Sequence, residues 1–191
     1  MSNSPKSELA LNQFPREIHS RSSRTPGQRS RLNIRKIISG GQTGADRAGL
    51  DFGLAHRIPI GGWCPKGRRA EDGVVPARYP LQEHPLHSYQ PRTIQNIQEA
   101  SFTVIFARAP LSPGSRFTLN QCQRLGKRHV WLWNFPEVEA DAKLLRGALQ
   151  TFDGVLNVAG SRESKCPGIH RHVLRVLQLA IAQPAIQPKT S

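Results

Sequence analysis

Ile34-Arg35-Lys36-Ile37-Ile38, then Ser39-Gly40-Gly41-Gln42-Thr43-Gly44, then Ala45-Asp46-Arg47 is the stretch that decides the fold. An apolar run short enough for a buried strand leads through a glycine-rich turn into a segment with helical spacing. Glycines let the main chain take positive φ and come close to a ligand. The first N–H groups of the following helix have no intrahelical partner, and they favour an anion, phosphate above all. The expectation is a ligand at the mouth of an α/β sheet.

Working outward, apolar strands and helix-forming segments alternate. Strands are expected at 34–38, 58–61, 103–107, 129–133 and 154–158, and helices at 44–56, 92–100, 116–126, 137–150 and 168–182. In the last two helices Val138, Ala142, Leu145 and Leu149, then Ile169, Val173, Leu177 and Ala180, recur at helical period. Pro167 suits the first turn of the final helix, where a missing N–H costs nothing. Such alternation specifies an α/β, Rossmann-like parallel sheet with helices on both faces, in a single domain. Ligands of these sheets sit outside the carboxyl ends of the strands. The expected pocket walls are therefore 39–46, 61–73, 108–118 and 159–167.

The 191 residues suffice for one well-buried domain and are short for two. Residues 1–33, rich in Ser, Pro, Arg and Gln without apolar period, read as a disordered basic tail. The domain is expected over 34–182, with a frayed tail over 183–191. The formal charge of +14 invites a nucleic-acid reading, but eight basic and two acidic side chains of that balance lie in residues 1–36. The remaining positive field would attract any anionic small molecule, and the folded part carries no nucleic-acid-binding motif, so nucleic acid is not the expected partner. Cys64, Cys122 and Cys166 show no CxxC or CxxH spacing, which argues against a disulfide scaffold and a zinc site. No apolar run approaches the ~18–20 residues of a membrane span, and the N-terminus lacks a secretory apolar core. The reading is cytoplasmic and membrane-free.

The glycine turn lacks the GK[ST] ending of a P-loop, so no ATP machinery is expected. Ser39 replaces the first glycine of the dinucleotide fingerprint, and no acidic residue follows the second strand to hold a ribose, so NAD is not expected either. Gly61-Gly62-Trp63-Cys64-Pro65-Lys66-Gly67-Arg68-Arg69-Ala70-Glu71-Asp72-Gly73 sets three cations beside one indole. Guanidinium forks pair with phosphate, and an indole face stacks on a planar ring. The expected ligand-binding set is Gly40, Gly41, Gln42, Thr43 and Gly44 for phosphate, with Lys66, Arg68 and Arg69 closing over the charge and Trp63 over the ring. Arg92 and the turn of Gly114, Ser115 and Thr118 add two further helix starts. Asp46 is assigned to a polar ring or ribose group, because its charge would repel phosphate. A lone thiol such as Cys64 is more often inert packing than a ligand.

GGQTGADRAGLDFG, GGWCPKGRRAEDG, RT-x-x-N, the Gly-Ser-x-x-Thr turn and LNVAGSRES-x-x-PGI, collinear over about residues 36–182, resemble the molybdenum cofactor carrier family. That family is similar to Rossmann-like proteins that include the lysine-decarboxylase-like phosphoribohydrolases. The resemblance implies homo-oligomers and an anionic small-molecule ligand, with the molybdenum cofactor (molybdopterin), a phosphorylated pterin holding its metal through a dithiolene, as cargo. Phosphoribohydrolase relatives carry a PGGxGTxxE turn with a catalytic glutamate. Here Pro113-Gly114-Ser115-Arg116-Phe117-Thr118-Leu119-Asn120-Gln121 has no carboxylate. The alternative, a nucleotide or nucleoside-derivative hydrolase, would have to use Asp46 or Glu71.

Overall fold

The computed structural model describes residues 32–181. Of the tail expected over 1–33, residues 1–31 lie outside them, as does the tail expected over 183–191, while Asn33 opens the first strand. The elements run β1 (Asn33–Ile38), α1 (Ala45–Ala55), β2 (Ile60–Gly61), β3 (Trp63–Cys64), a 3-10 turn (Lys66–Arg68), β4 (Arg69–Ala70), β5 (Gly73–Val74) and β6 (Gln82–Glu83). They continue α2 (Tyr89–Glu99), β7 (Phe102–Phe106), α3 (Pro113–Arg124), β8 (His129–Leu132), α4 (Val138–Ala148), β9 (Asp153–Gly160) and α5 (Ile169–Ile181).

Five strands form one parallel sheet in the order β2-β1-β9-β7-β8. Its central strand is therefore the last in the chain. Counted from β9, the order reads 3-2-1-4-5, the doubly wound arrangement, with the first strand–helix unit (β9 and α5) carried to the C-terminal end. The expected α/β, Rossmann-like, single-domain fold is present.

β7 is buried along its whole length because helices cover both faces. Val104 and Phe106 join Phe52 of α1, Leu145 of α4 and Val173 of α5 in the main core. Ile105 faces the other way, into a smaller cluster with Ile97 of α2 and Cys122 of α3. This two-sided burial is what makes a parallel strand read as an uninterrupted apolar run.

Several boundaries differ from the sequence reading. The helix expected from Arg92 begins at Tyr89, because Pro91 sits in the first turn, where its missing N–H is not needed. The helix expected from Arg116 begins at Pro113, capped by Ser112, whose Oγ accepts the Ser115 N–H at 3.3 Å. Residues 62–88 hold two small two-stranded ribbons, β3 with β6 and β4 with β5. Together they enclose a satellite core of Cys64, Ala70, Val75, Tyr79 and Leu81 against Leu50 of α1.

A candidate ligand cavity at the sheet's switch point

A cavity of about 490 Å³ opens at the carboxyl ends of β1, β9 and β7, a size that suits a nucleotide-scale molecule. Chain connections leave β9 and β7 in opposite directions, so a crevice forms there without any special device. Gly40, Gln42 and Asp46 line it from the turn after β1, and Tyr89, Arg92 and Asn96 from α2. Gly114, Ser115 and Thr118 line it from the start of α3, and Gly160, Arg162 and Lys165 from the end of β9 and beyond.

Of the residues expected to bind ligand, the cavity wall gathers Gly40, Gln42, Asp46, Arg92, Gly114, Ser115 and Thr118. It does not include Gly41, Thr43, Gly44, Trp63, Lys66, Arg68 or Arg69. Three N–H groups in and just after the glycine turn are already bound within the protein. The Gln42 N–H goes to Asp46 Oδ2 at 3.3 Å, the Thr43 N–H to Gln42 Oε1 at 3.1 Å, and the Ala45 N–H to the Ser161 carbonyl at 3.1 Å.

The 61–73 segment stands outside the cavity for an equally local reason. Arg68 donates to the carbonyls of Val75 (3.1 Å), Leu81 (3.0 Å), Pro76 (3.2 Å) and Tyr79 (2.9 Å). A guanidinium so engaged folds its own loop and has little left for a ligand. Trp63 is held by α2: its indole N–H donates to Glu99 Oε1 at 2.7 Å, and its backbone N–H to Asn96 Oδ1 at 2.8 Å. Lys66 and Arg69 are exposed, Arg69 with its guanidinium 5.5 Å from the Tyr89 ring.

Glu71 and Asp72 clasp the β4–β5 ribbon to the turn. Glu71 accepts the hydroxyls of Thr43 and Ser164 and the Ser164 N–H (3.2 Å), while Asp72 pairs with Arg47 at 2.7 Å. Burial pushes the Glu71 carboxyl up, but the hydrogen bonds from Ser164 and Thr43 outweigh it and hold it below its ordinary value. The hydrogen bond from Arg47 does the same for Asp72. Both are structural carboxylates.

Asp46 differs from them. It is the one acidic residue in the cavity wall among the described residues, and burial raises its pKa against the opposing pull of Arg92, whose Nη1 lies 3.3 Å from Oδ2. Arg92 packs over Gly40, where any Cβ would overlap its guanidinium. Cys64 and Cys166 do not line the cavity. Each is buried in a hydrophobic cluster, and burial raises both thiols.

Arg162, Lys165 and Phe117 fall in the walls expected at 159–167 and 108–118 without being in the expected ligand-binding set, and they line the cavity, as does Tyr89 from outside any expected wall. The Arg162 guanidinium lies 5.1 Å from the Tyr89 ring centre and that of Arg92 5.8 Å, both within cation–π range. The cluster Gly160-Ser161-Arg162 was visible in the sequence. What would have promoted it is the position of its strand at the centre of the sheet.

A doubly wound parallel sheet with its cavity at the switch point, and its first unit moved to the chain's end, defines a circularly permuted Rossmann-like protein. A family model described as the circularly permutated YpsA SLOG family matches residues 37–181. The chain belongs to that family. It is also similar to the solved structure named "Putative molybdenum carrier protein" from Syntrophus aciditrophicus SB, at 40% identity and a TM-score of 0.75, over 79% of this chain and 97% of that one. Among curated proteins, no match was found. Among the described residues, no helix is long and apolar enough to cross a membrane.

Proposed function

We propose that this chain is a carrier that binds a phosphorylated pterin or nucleotide-like ligand in the cavity between β9 and β7, with the molybdenum cofactor as its cargo. The observation that carries the reading is the cavity's chemistry. Arg162 and Lys165 reach it from the segment after the central strand, opposite the N-terminus of α3. Two cations and a helix start suit a phosphate. Tyr89 and Phe117 supply the aromatic surface that the sequence reading had given to Trp63. The similarity to a protein named as a molybdenum carrier supports the choice of cargo.

Hydrolysis is the less supported reading. Glu71 is tied into the ribbon clasp, Asp46 is tied to Arg92, and the α3 start offers no carboxylate. The chain should therefore release an intact ligand when it is purified natively, denatured and examined by mass spectrometry with elemental analysis for molybdenum. A phosphorylated pterin, with or without metal, is the expected species. Recovery of free base and ribose phosphate after incubation with nucleoside monophosphates would overturn the carrier reading in favour of hydrolysis.

A further inference from the structure

We propose that Asp46 and Arg92 read the ring of the ligand, and that the ring is a lactam, a heterocycle presenting a ring N–H beside a C=O. The inference rests on the reading above that the ligand is a phosphorylated planar molecule, and it names the chemistry of the plane.

The wall around Asp46 holds hydrogen-bonding capacity that the protein leaves unspent. Asp46 Oδ2 takes the Arg92 Nη1 and the Gln42 N–H, both at 3.3 Å. Oδ1 accepts no hydrogen bond among the described residues. Among the described residues Arg92 donates only through Nη1, and its Nε is buried without a partner. Gln42 is 6% exposed, and its Nε2 is likewise buried without a partner, while its Oε1 accepts the N–H groups of Thr43 and Glu71. Buried polar groups are nearly always paired in native proteins, and two that are not, Gln42 Nε2 and Arg92 Nε, belong to side chains of this one cavity wall. One carboxylate oxygen awaits a donor beside nitrogens that await an acceptor.

Charge selects the ligand group. An anion would meet the Asp46 carboxylate, so the phosphate belongs at Arg162 and Lys165, and the ring's polar edge faces Asp46. A carboxylate prefers the more acidic N–H and a guanidinium the more electron-rich oxygen, since hydrogen bonds to ionised groups are the strong ones. A lactam offers both at adjacent atoms, its N–H to Oδ1 and its C=O to the Arg92 fork. An aminopyrimidine edge, such as that of adenine, offers a weaker donor and a ring nitrogen in place of the oxygen. The Tyr89 ring has both Arg92 and Arg162 packed against it.

The geometry also fixes what an isosteric change would do. In Asp46→Asn the amide oxygen must take the Oδ2 position, because Arg92 Nη1 and the Gln42 N–H both donate there. The amide NH₂ then replaces Oδ1, so a donor faces the lactam N–H. Sites built around a buried hydrogen bond discriminate strongly once it is mismatched.

The experiment is calorimetric titration of the full chain with GMP, IMP, AMP and ribose 5-phosphate. GMP and IMP, both lactams, are expected to bind at least tenfold tighter than AMP. In Asp46→Asn that preference should collapse to within about threefold, while ribose 5-phosphate binds as in the wild type. Equal affinity of the wild type for GMP and AMP would overturn the assignment, as would a preference that survives in Asp46→Asn. A merely structural role for Asp46 would weaken all four probes together, and that result also counts against it. Binding of none of the four would overturn the phosphate reading itself, and the ring assignment with it. The wild-type ratio tests the assignment even if the variant folds poorly.

Discussion

Arg92→Met is expected to cost about 3 kcal/mol of folding stability near neutral pH, the scale on which removing one partner of a buried ion pair destabilises a protein. The Arg92 and Asp46 side chains are 12% and 7% exposed, so water screens the pair little. Methionine keeps most of the packing volume and removes the charge. Asp46 would then lose its largest opposing attraction in a site whose burial already raises its pKa above the ordinary 3.8, so its charge becomes costlier to hold. The sign of the pH dependence follows. A carboxyl whose folded pKa is raised binds protons more readily in the folded state, so its unfavourable contribution is absent at low pH and grows as pH rises through that pKa. The variant's deficit should therefore shrink as the solution is acidified and Asp46 takes a proton. Urea unfolding at pH 7 and pH 5 measures both. A deficit that does not change between the two would mean that the charge of Asp46 is not its source.

The second large effect lies at the hinge of the glycine turn. Gly44→Ala is expected to destabilise the fold by about 3 kcal/mol or more, on the scale of a residue forced into a forbidden backbone region together with a steric clash. Gly44 sits at φ 74° and ψ −125°, a combination closed to residues with a Cβ. A Cβ there would lie 2.5 Å from the Ser161 carbonyl oxygen and 2.7 Å from the Glu163 nitrogen. These are backbone atoms of the segment after β9 and cannot swing away as a side-chain tip would. Relief requires parting α1 from the segment that carries Arg162, so ligand affinity should fall along with the unfolding midpoint. A melting temperature within 2 °C of wild type would contradict this packing.

These two positions also mark how far the sequence carries. Gly44 was legible because a strand, a glycine run and a helix in that order leave few other backbone paths. The buried run of β7 and the helical period of α4 and α5 were legible for the same reason: local pattern and global burial agree. Strand order was not, since nothing in the residues of β9 says that it pairs with both β1 and β7. That ordering sets the end of β9 at the centre of the sheet, which brings Arg162 of the expected 159–167 wall into the cavity. The 61–73 loop misled in the opposite direction. Its cations had the right chemistry, but Arg68 spends its donors on four carbonyls of its own loop, and composition cannot distinguish a guanidinium that folds a loop from one that awaits a ligand. Arg92 lines the cavity, although its helix starts a turn earlier than expected and its partner is Asp46.

The central claim is that the crevice between β9 and β7 holds a phosphorylated ligand through Arg162 and Lys165. Calorimetric titration of GMP into the wild type and into Arg162→Ala/Lys165→Ala tests it most directly. Lys165 is exposed and Arg162 half-buried, and neither belongs to a core cluster, so the variant should fold normally. The account predicts that GMP binds the wild type and that the double variant loses more than tenfold in affinity, about 1.4 kcal/mol or more. Equal binding by the two proteins would place the phosphate elsewhere and contradict the account.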